Sequence, residues 1–310
     1  MWADVRASWA IAKKDLKCYY ARPGAILFGI MFPFFMFLSF AVGRDLPLER
    51  ALPGLTSMVI MFSASSIGPF SIPLERRLKT FDRLLAAPIS FYSILAGKMA
   101  AGALYGLAVG SIPLAVGALL GAGTEDPALL AVFLPLSSAC FAAMGVMFAS
   151  IPTEYPGNVN IALNFVRLPM IFVSGIFTPL AEASLEFRLI STLSPLTYAN
   201  DAVRTAFGLP GAFNLLADAA GLIFFSLAFL AVGAKLHEKF IELSESPRGQ
   251  RMRQRAVTAP QEATGIARPG RGLPSLRRER VASTPAFRAR IGAAARGSPR
   301  DLREVDEARE

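Results

Sequence analysis

"KMAAGALYGLAVGSIPLAVGALL", Lys98–Leu120, carries one charge at its first residue and none after it. At about 1.5 Å per residue, a helix of that length crosses the roughly 30 Å hydrocarbon core of a bilayer. A soluble helix this long would need a polar stripe, and this one has none. Comparable runs lie at about 24–42, 55–73, 128–150, 158–178 and 213–235, in a chain that is 53% hydrophobic. The expected fold class is therefore all-α: a polytopic membrane protein with six transmembrane helices. A charged segment with no cleavage pattern precedes the first run, so no processing is expected.

Gly102, Gly106 and Gly110 recur every four residues and give the third span a face without side chains, suited to close helix contact. Pro33, Pro113, Pro135 and Pro169 fall inside spans, where each frees a carbonyl that protein must satisfy. Cys18 and Cys140 match no metal spacing and are expected to be free thiols. His237, the one histidine, is expected to cap the cytoplasmic end of the last helix.

Lysine and arginine alternate between loops in a way that sets orientation. Arg6, Lys13, Lys14, Lys17, Arg22, Arg76, Arg77, Lys79, Arg83, Lys98, Lys235 and Lys239 fall on one side, against Arg44, Arg50, Arg188 and Arg204 on the other. Both termini are thus expected in the cytoplasm of a cell inner membrane. Residues 1–22 read as an amphipathic interface helix. Trp2, Val5, Trp9, Ala12, Leu16, Tyr19 and Tyr20 share one face, with Asp4, Arg6, Lys14, Asp15 and Lys17 opposite. Residues 23–243 form the six-span domain. The tail, 244–310, is rich in arginine and has no sustained apolar period, so disorder in the cytoplasm is expected. Its arginines suit either a solvated tail or contact with anionic headgroups.

"LERRLKTFDRLLAAPIS", Leu74–Ser90, separates the second and third runs. Leu74, Leu78, Phe81 and Leu85 recur at i, i+4, i+7 and i+11, and Pro88 stops the pattern. The spacing predicts a cytoplasmic helix of about three turns with one apolar edge. A plain connection of two to eight residues would not need it. The stretch through Gly97-Lys98 resembles the coupling helix of type-2 ABC transporter permeases, which docks on a separate ATPase subunit. "RLPMIFVSGIFTPL", Arg167–Leu180, and "ISTLSPLTYANDAVR", Ile190–Arg204, resemble the end of the fifth span and the segment before the sixth in the same family. The resemblance covers about 1–240, in order.

It implies the membrane subunit of an ABC exporter of the drug or polysaccharide type, not itself an enzyme. Glu75, Arg76, Arg77, Leu78, Lys79, Phe81, Asp82, Arg83, Leu84 and Leu85 would couple to the ATPase. Arg167, Ser174 and Gly175 are candidates for the translocation path, although a base as deep as Arg167 is unusual in the family; snorkelling to the interface is the simpler reading. Pro195, Tyr198, Asp201 and Arg204 would belong to short re-entrant helices at an extracellular gate. The implied partners are an ABC ATPase subunit carrying ATP and Mg, a second permease copy or paralogue, and membrane lipid; no cofactor or metal is bound directly, and no nucleic acid. The chain holds no G-x-x-x-x-G-K-[ST] phosphate loop, so hydrolysis would occur on another subunit. The rival class is a channel or ion-driven transporter, disfavoured because no Asp or Glu is placed deep in a span.

Overall fold

The computed structural model describes residues 2–20, 31–39, 47–178, 180 and 183–245. Among these the regular structure is helical throughout. In order come α1 (Trp2–Tyr20), α2 (31–39), α3 (Leu48–Ala64), α4 (Ile67–Arg77), α5 (Thr80–Leu85) and α6 (Phe91–Leu119). They are followed by α7 (Pro127–Phe148), α8 (Pro156–Val173), α9 (Leu185–Ser191), α10 (Pro195–Ala206) and α11 (Leu215–Glu245).

Four described segments are long and apolar enough to cross a membrane: Leu48–Arg77, Phe91–Leu119, Pro127–Phe148 and Leu215–Lys239. Of the first expected span only 31–39 is described; its other residues, and the tail from 246, lie outside the described residues. The fifth expected span is shorter than 158–178. Asn158, Asn160, Asn164 and Arg167 dilute α8, and Ser174 and Gly175 stop it early.

Local chemistry explains where the helices start. Ser90 Oγ accepts from Ser93 N at 3.1 Å to cap α6, and Asp126 Oδ1 accepts from Ala128 N and Leu129 N at 3.0 and 3.2 Å ahead of Pro127 in α7. Both helices run through their prolines, Pro113 and Pro135. The centre of the fold is the glycine face of α6, pressed between α3 and α7. A Cβ on Gly106 would lie 2.4 Å from Ala64 Cβ and 2.5 Å from Ser138 Oγ; one on Gly110 would lie 2.2 Å from Ile60. Around this seam Phe62, Tyr105, Phe141 and Met144 are fully buried. Such close backbone approach multiplies dispersion contacts that lipid cannot replace.

The second span is not one straight rod. It starts earlier and ends later than expected, and it breaks at Ser65–Ser66 between α3 and α4. Pro69 has no N–H to offer the Ser65 carbonyl, and Ser65 and Ser66 hydroxyls donate back to the Met61 and Phe62 carbonyls. The freed Ser65 carbonyl turns toward α7, where only glycine fits: a Cβ on Gly145 would lie 2.4 Å from that oxygen.

The interface helix also departs from its expected wheel. Trp2, Val5 and Trp9 are exposed, but Ala12 is buried and so is Asp15, from the expected polar face. Ser8 Oγ donates to the Ser93 carbonyl at 2.8 Å, and Asp4 Oδ1 accepts from Ser93 Oγ at 3.1 Å and from Ser90 N at 3.4 Å. Those backbone and hydroxyl donors hold the Asp4 carboxyl below the usual carboxylate range. Gly97 lets the two backbones meet, its absent Cβ being 2.7 Å from the Ser8 carbonyl. Asp4, Ser8, Ile11, Ala12 and Asp15 thus meet the first turns of α6, while Arg6, Lys13, Lys14 and Lys17 stay exposed. Cys18 is exposed on α1 and Cys140 buried in α7, both free.

Candidate functional site

The segment expected to form one cytoplasmic helix is an elbow. Helix α4 continues to Arg77, Lys79 sits in the left-handed region at φ 56°, and α5 is a separate helix of six residues. A non-glycine residue in that region breaks helical phase, so positions either side no longer share a wheel. The predicted apolar edge is accordingly split. Phe81 is 3% exposed and packs with Ile11, Ile72, Ile94 and Ala149, whereas Leu78 is 62% exposed. Leu84 and Leu85 pack partly against the same cluster. Arg77, Lys79, Asp82 and Arg83 face outward with Leu78, and the Arg77 guanidinium lies 5.7 Å from the exposed Tyr155 ring.

Glu75 and Arg76 point inward. Glu75 joins a buried charge cluster that ties three helices together. The Lys98 ammonium of α6, fully buried, lies 2.7 Å from Glu75 Oε2 on α4 and 2.8 Å from Asp15 Oδ2 on α1. Lys98 also donates to Ser71 Oγ at 3.4 Å. Lys14 pairs with Asp15 at 3.0 Å and with Glu75. Burial works against the Lys14 ammonium, but Asp15 and Glu75 more than offset it and hold its pKa above the usual lysine value. Two ammonium groups and two carboxylates thus balance where a lone charge would be costly. Lys14, Asp15 and Lys98 are absent from the expected site; the signal for Lys98 was a base starting an otherwise uncharged span.

Arg76 links four elements. Its Nη1 donates to the Ile151 carbonyl at 2.9 Å, its Nη2 lies 3.2 Å from His237 Nδ1, and its guanidinium stacks 5.6 Å from the Phe81 ring. His237 does not cap the end of α11: it is fully buried, with Nε2 3.0 Å from the Val146 carbonyl of α7.

Arg167 does not snorkel. It is 1% exposed and reaches from α8 to the break in the second span. Nε and Nη2 donate to Ser65 Oγ at 3.1 and 2.6 Å, Nη2 to Ser66 Oγ at 3.2 Å, and Nη1 to Asn164 Oδ1 at 3.2 Å. The guanidinium also lies 5.0 Å from the Phe62 ring centre. Ser174 and Gly175 form the helix stop: Ser174 is buried with Oγ donating to the Ile171 carbonyl at 2.8 Å, and Gly175 has φ 75°, which suits glycine after a helix end.

Of the expected gate residues, Pro195 opens α10 at a position where its missing N–H costs nothing. Tyr198 donates to the Thr192 carbonyl at 3.0 Å and packs on Phe213 and Phe225. Asp201 accepts from Ala212 N at 2.8 Å and Phe213 N at 2.9 Å, fixing the turn that leads into α11. Burial pushes the Asp201 carboxyl up, against the pull of those N–H groups and of Arg204 and Arg188. Arg188 closes the same turn by donating to the Ala212 carbonyl at 2.9 Å. Asp218, in the first turn of α11, is fully buried, and neither of its oxygens has a hydrogen-bond partner.

No curated protein matches the chain. The sequence profile of the ABC-2 type transporter family matches residues 6–208, from α1 through α10. With four apolar spans among the described residues and that match over most of the chain, the protein belongs to the ABC-2 type transporter family and is a multi-pass ABC transporter permease.

Proposed function

We propose that the chain is the membrane half of an ATP-driven exporter. It pairs with a second permease copy or a paralogue, keeps both termini in the cytoplasm, and takes its power stroke from an ATPase subunit seated on the elbow. The observation that carries this reading is the elbow at Lys79. One side of it, Arg77, Leu78, Lys79, Asp82 and Arg83, is exposed. The other side, Glu75, Arg76 and Phe81, is bound into the bundle. A lever needs both: a free face to receive force and a fixed one to pass it on. The docking socket on the ATPase is then an apolar pocket for Leu78 with acidic groups around it, complementary to three cations. The ATPase supplies nucleotide and Mg; the permease supplies states that differ in their contacts, between which ATP shifts the population.

The test is the purified permease reconstituted with its co-purifying ATPase. Leu78→Asp should abolish permease-stimulated ATP hydrolysis while the protein still reaches the membrane at normal level. Full stimulation in that variant would sink the docking assignment. A second reading, an ion-driven carrier, draws on Asp218, a buried carboxylate without hydrogen-bond partners. Cargo movement in liposomes without nucleotide, driven by an ion gradient and lost in Asp218→Asn, would favour it.

A further inference from the structure

The partners of His237 determine its chemical form. Arg76 Nη2 is only a donor, so Nδ1, 3.2 Å away, must present its lone pair; the Val146 carbonyl is only an acceptor, so Nε2, 3.0 Å away, must carry the hydrogen. Both ring nitrogens are therefore used, in the neutral tautomer, inside a fully buried site whose remaining wall includes the Phe91 ring at 6.2 Å. Through that ring the last span holds one guanidinium, and the guanidinium holds three things: the end of α4, the turn at Ile151 and the face of Phe81 on α5. A guanidinium without the imidazole has one fewer acceptor and a wider choice of orientations, and its stack on Phe81 depends on orientation.

We infer that His237 is a positioning residue: it orients Arg76 and so makes α11 move with the elbow formed by α4 and α5. The functional consequence rests on the coupling role proposed above; the tether itself does not. Nothing in the expected site placed the last span in the transmission path. The bland alternative is a core histidine that merely fills space, and it makes a different forecast for conservative replacement.

Amide hydrogen exchange on the full-length chain in lipid nanodiscs, without ATPase, separates the two. His237→Phe keeps an aromatic ring but neither polar contact, and His237→Gln keeps one acceptor and one donor. In His237→Phe, exchange across residues 76–86 should rise about tenfold, the loss of one charge-assisted hydrogen bond, while α6 and α7 stay as in wild type. His237→Gln should stay within about twofold of wild type, because rescue follows the hydrogen-bonding groups and not the ring. Arg76→Met cuts the same tether from the other end and serves if His237→Phe does not accumulate. Combined with His237→Phe, it should add little further exchange. Unchanged exchange over 76–86 in His237→Phe, an equal rise across α6 and α7, or failure of the glutamine to rescue would each overturn the inference. A local rise with ATPase stimulation intact would keep the tether and overturn the coupling reading instead.

Discussion

Replacing Lys98 by methionine keeps the length of the side chain and removes the charge that two buried carboxylates share. In the native protein the Lys98 ammonium is fully buried, 2.8 Å from Asp15 and 2.7 Å from Glu75. The carboxylate side chains are only 2% and 10% exposed, so water cannot replace the ammonium. Breaking a buried ion pair from one side costs about 3–5 kcal/mol. Lys14, 45% exposed and already paired with both carboxylates, stays behind and offsets part of that loss. The lower end, about 3 kcal/mol, is therefore expected. For a chain of this size it lowers the melting temperature by roughly 6–12 °C. The assay is thermal unfolding in nanodiscs, followed by tryptophan fluorescence from Trp2 and Trp9. The triple variant Lys98→Met, Asp15→Asn, Glu75→Gln removes the stranded charges and should regain more than half of the loss, because the penalty lies in unpaired charge. A single variant that melts within about 2 °C of wild type, or a triple variant worse than the single, would refute the account of the cluster.

Two further outcomes follow from the packing. Gly106→Ala should destabilise by about 1–3 kcal/mol, since its Cβ would lie 2.4 Å from Ala64 Cβ and the seam has no slack. Gly157→Ala, whose Cβ would meet nothing within 4 Å, should be neutral or slightly stabilising, and the pair of melting curves checks the assignment. Arg167→Leu should cost about 1.5–3 kcal/mol through lost charge-assisted bonds to Ser65 and Ser66. Arg167→Lys should recover only part of it, because one ammonium nitrogen cannot replace the separate Nε bond to Ser65 and Nη1 bond to Asn164; wild-type melting of Arg167→Leu would show that the arginine does not brace the break in the second span.

The amino-acid sequence by itself determined the solvent, the family and the seam. Uncharged runs such as Met99–Leu120 are hydrophobic in any surroundings, so the membrane assignment needs no tertiary contact. A four-residue glycine repeat marks a close-packing face for the same reason: period and size are local properties. Which polar groups turn inward was decided only by tertiary structure. A wheel assumes one unbroken helix with one wet side, and both assumptions fail here. The positive φ at Lys79 resets the phase, so Phe81 goes in while Leu78 stays out. Asp15, from the expected polar side of α1, is dry because Lys98 arrives from another helix to neutralise it, while Arg6, Lys14 and Lys17 of that side stay exposed. His237 and Arg167 are likewise buried, and Arg76 half-buried, against carbonyls, hydroxyls and rings far away in sequence. The free energy of a buried charge is set by its partners, and partners come from elements that no local window contains.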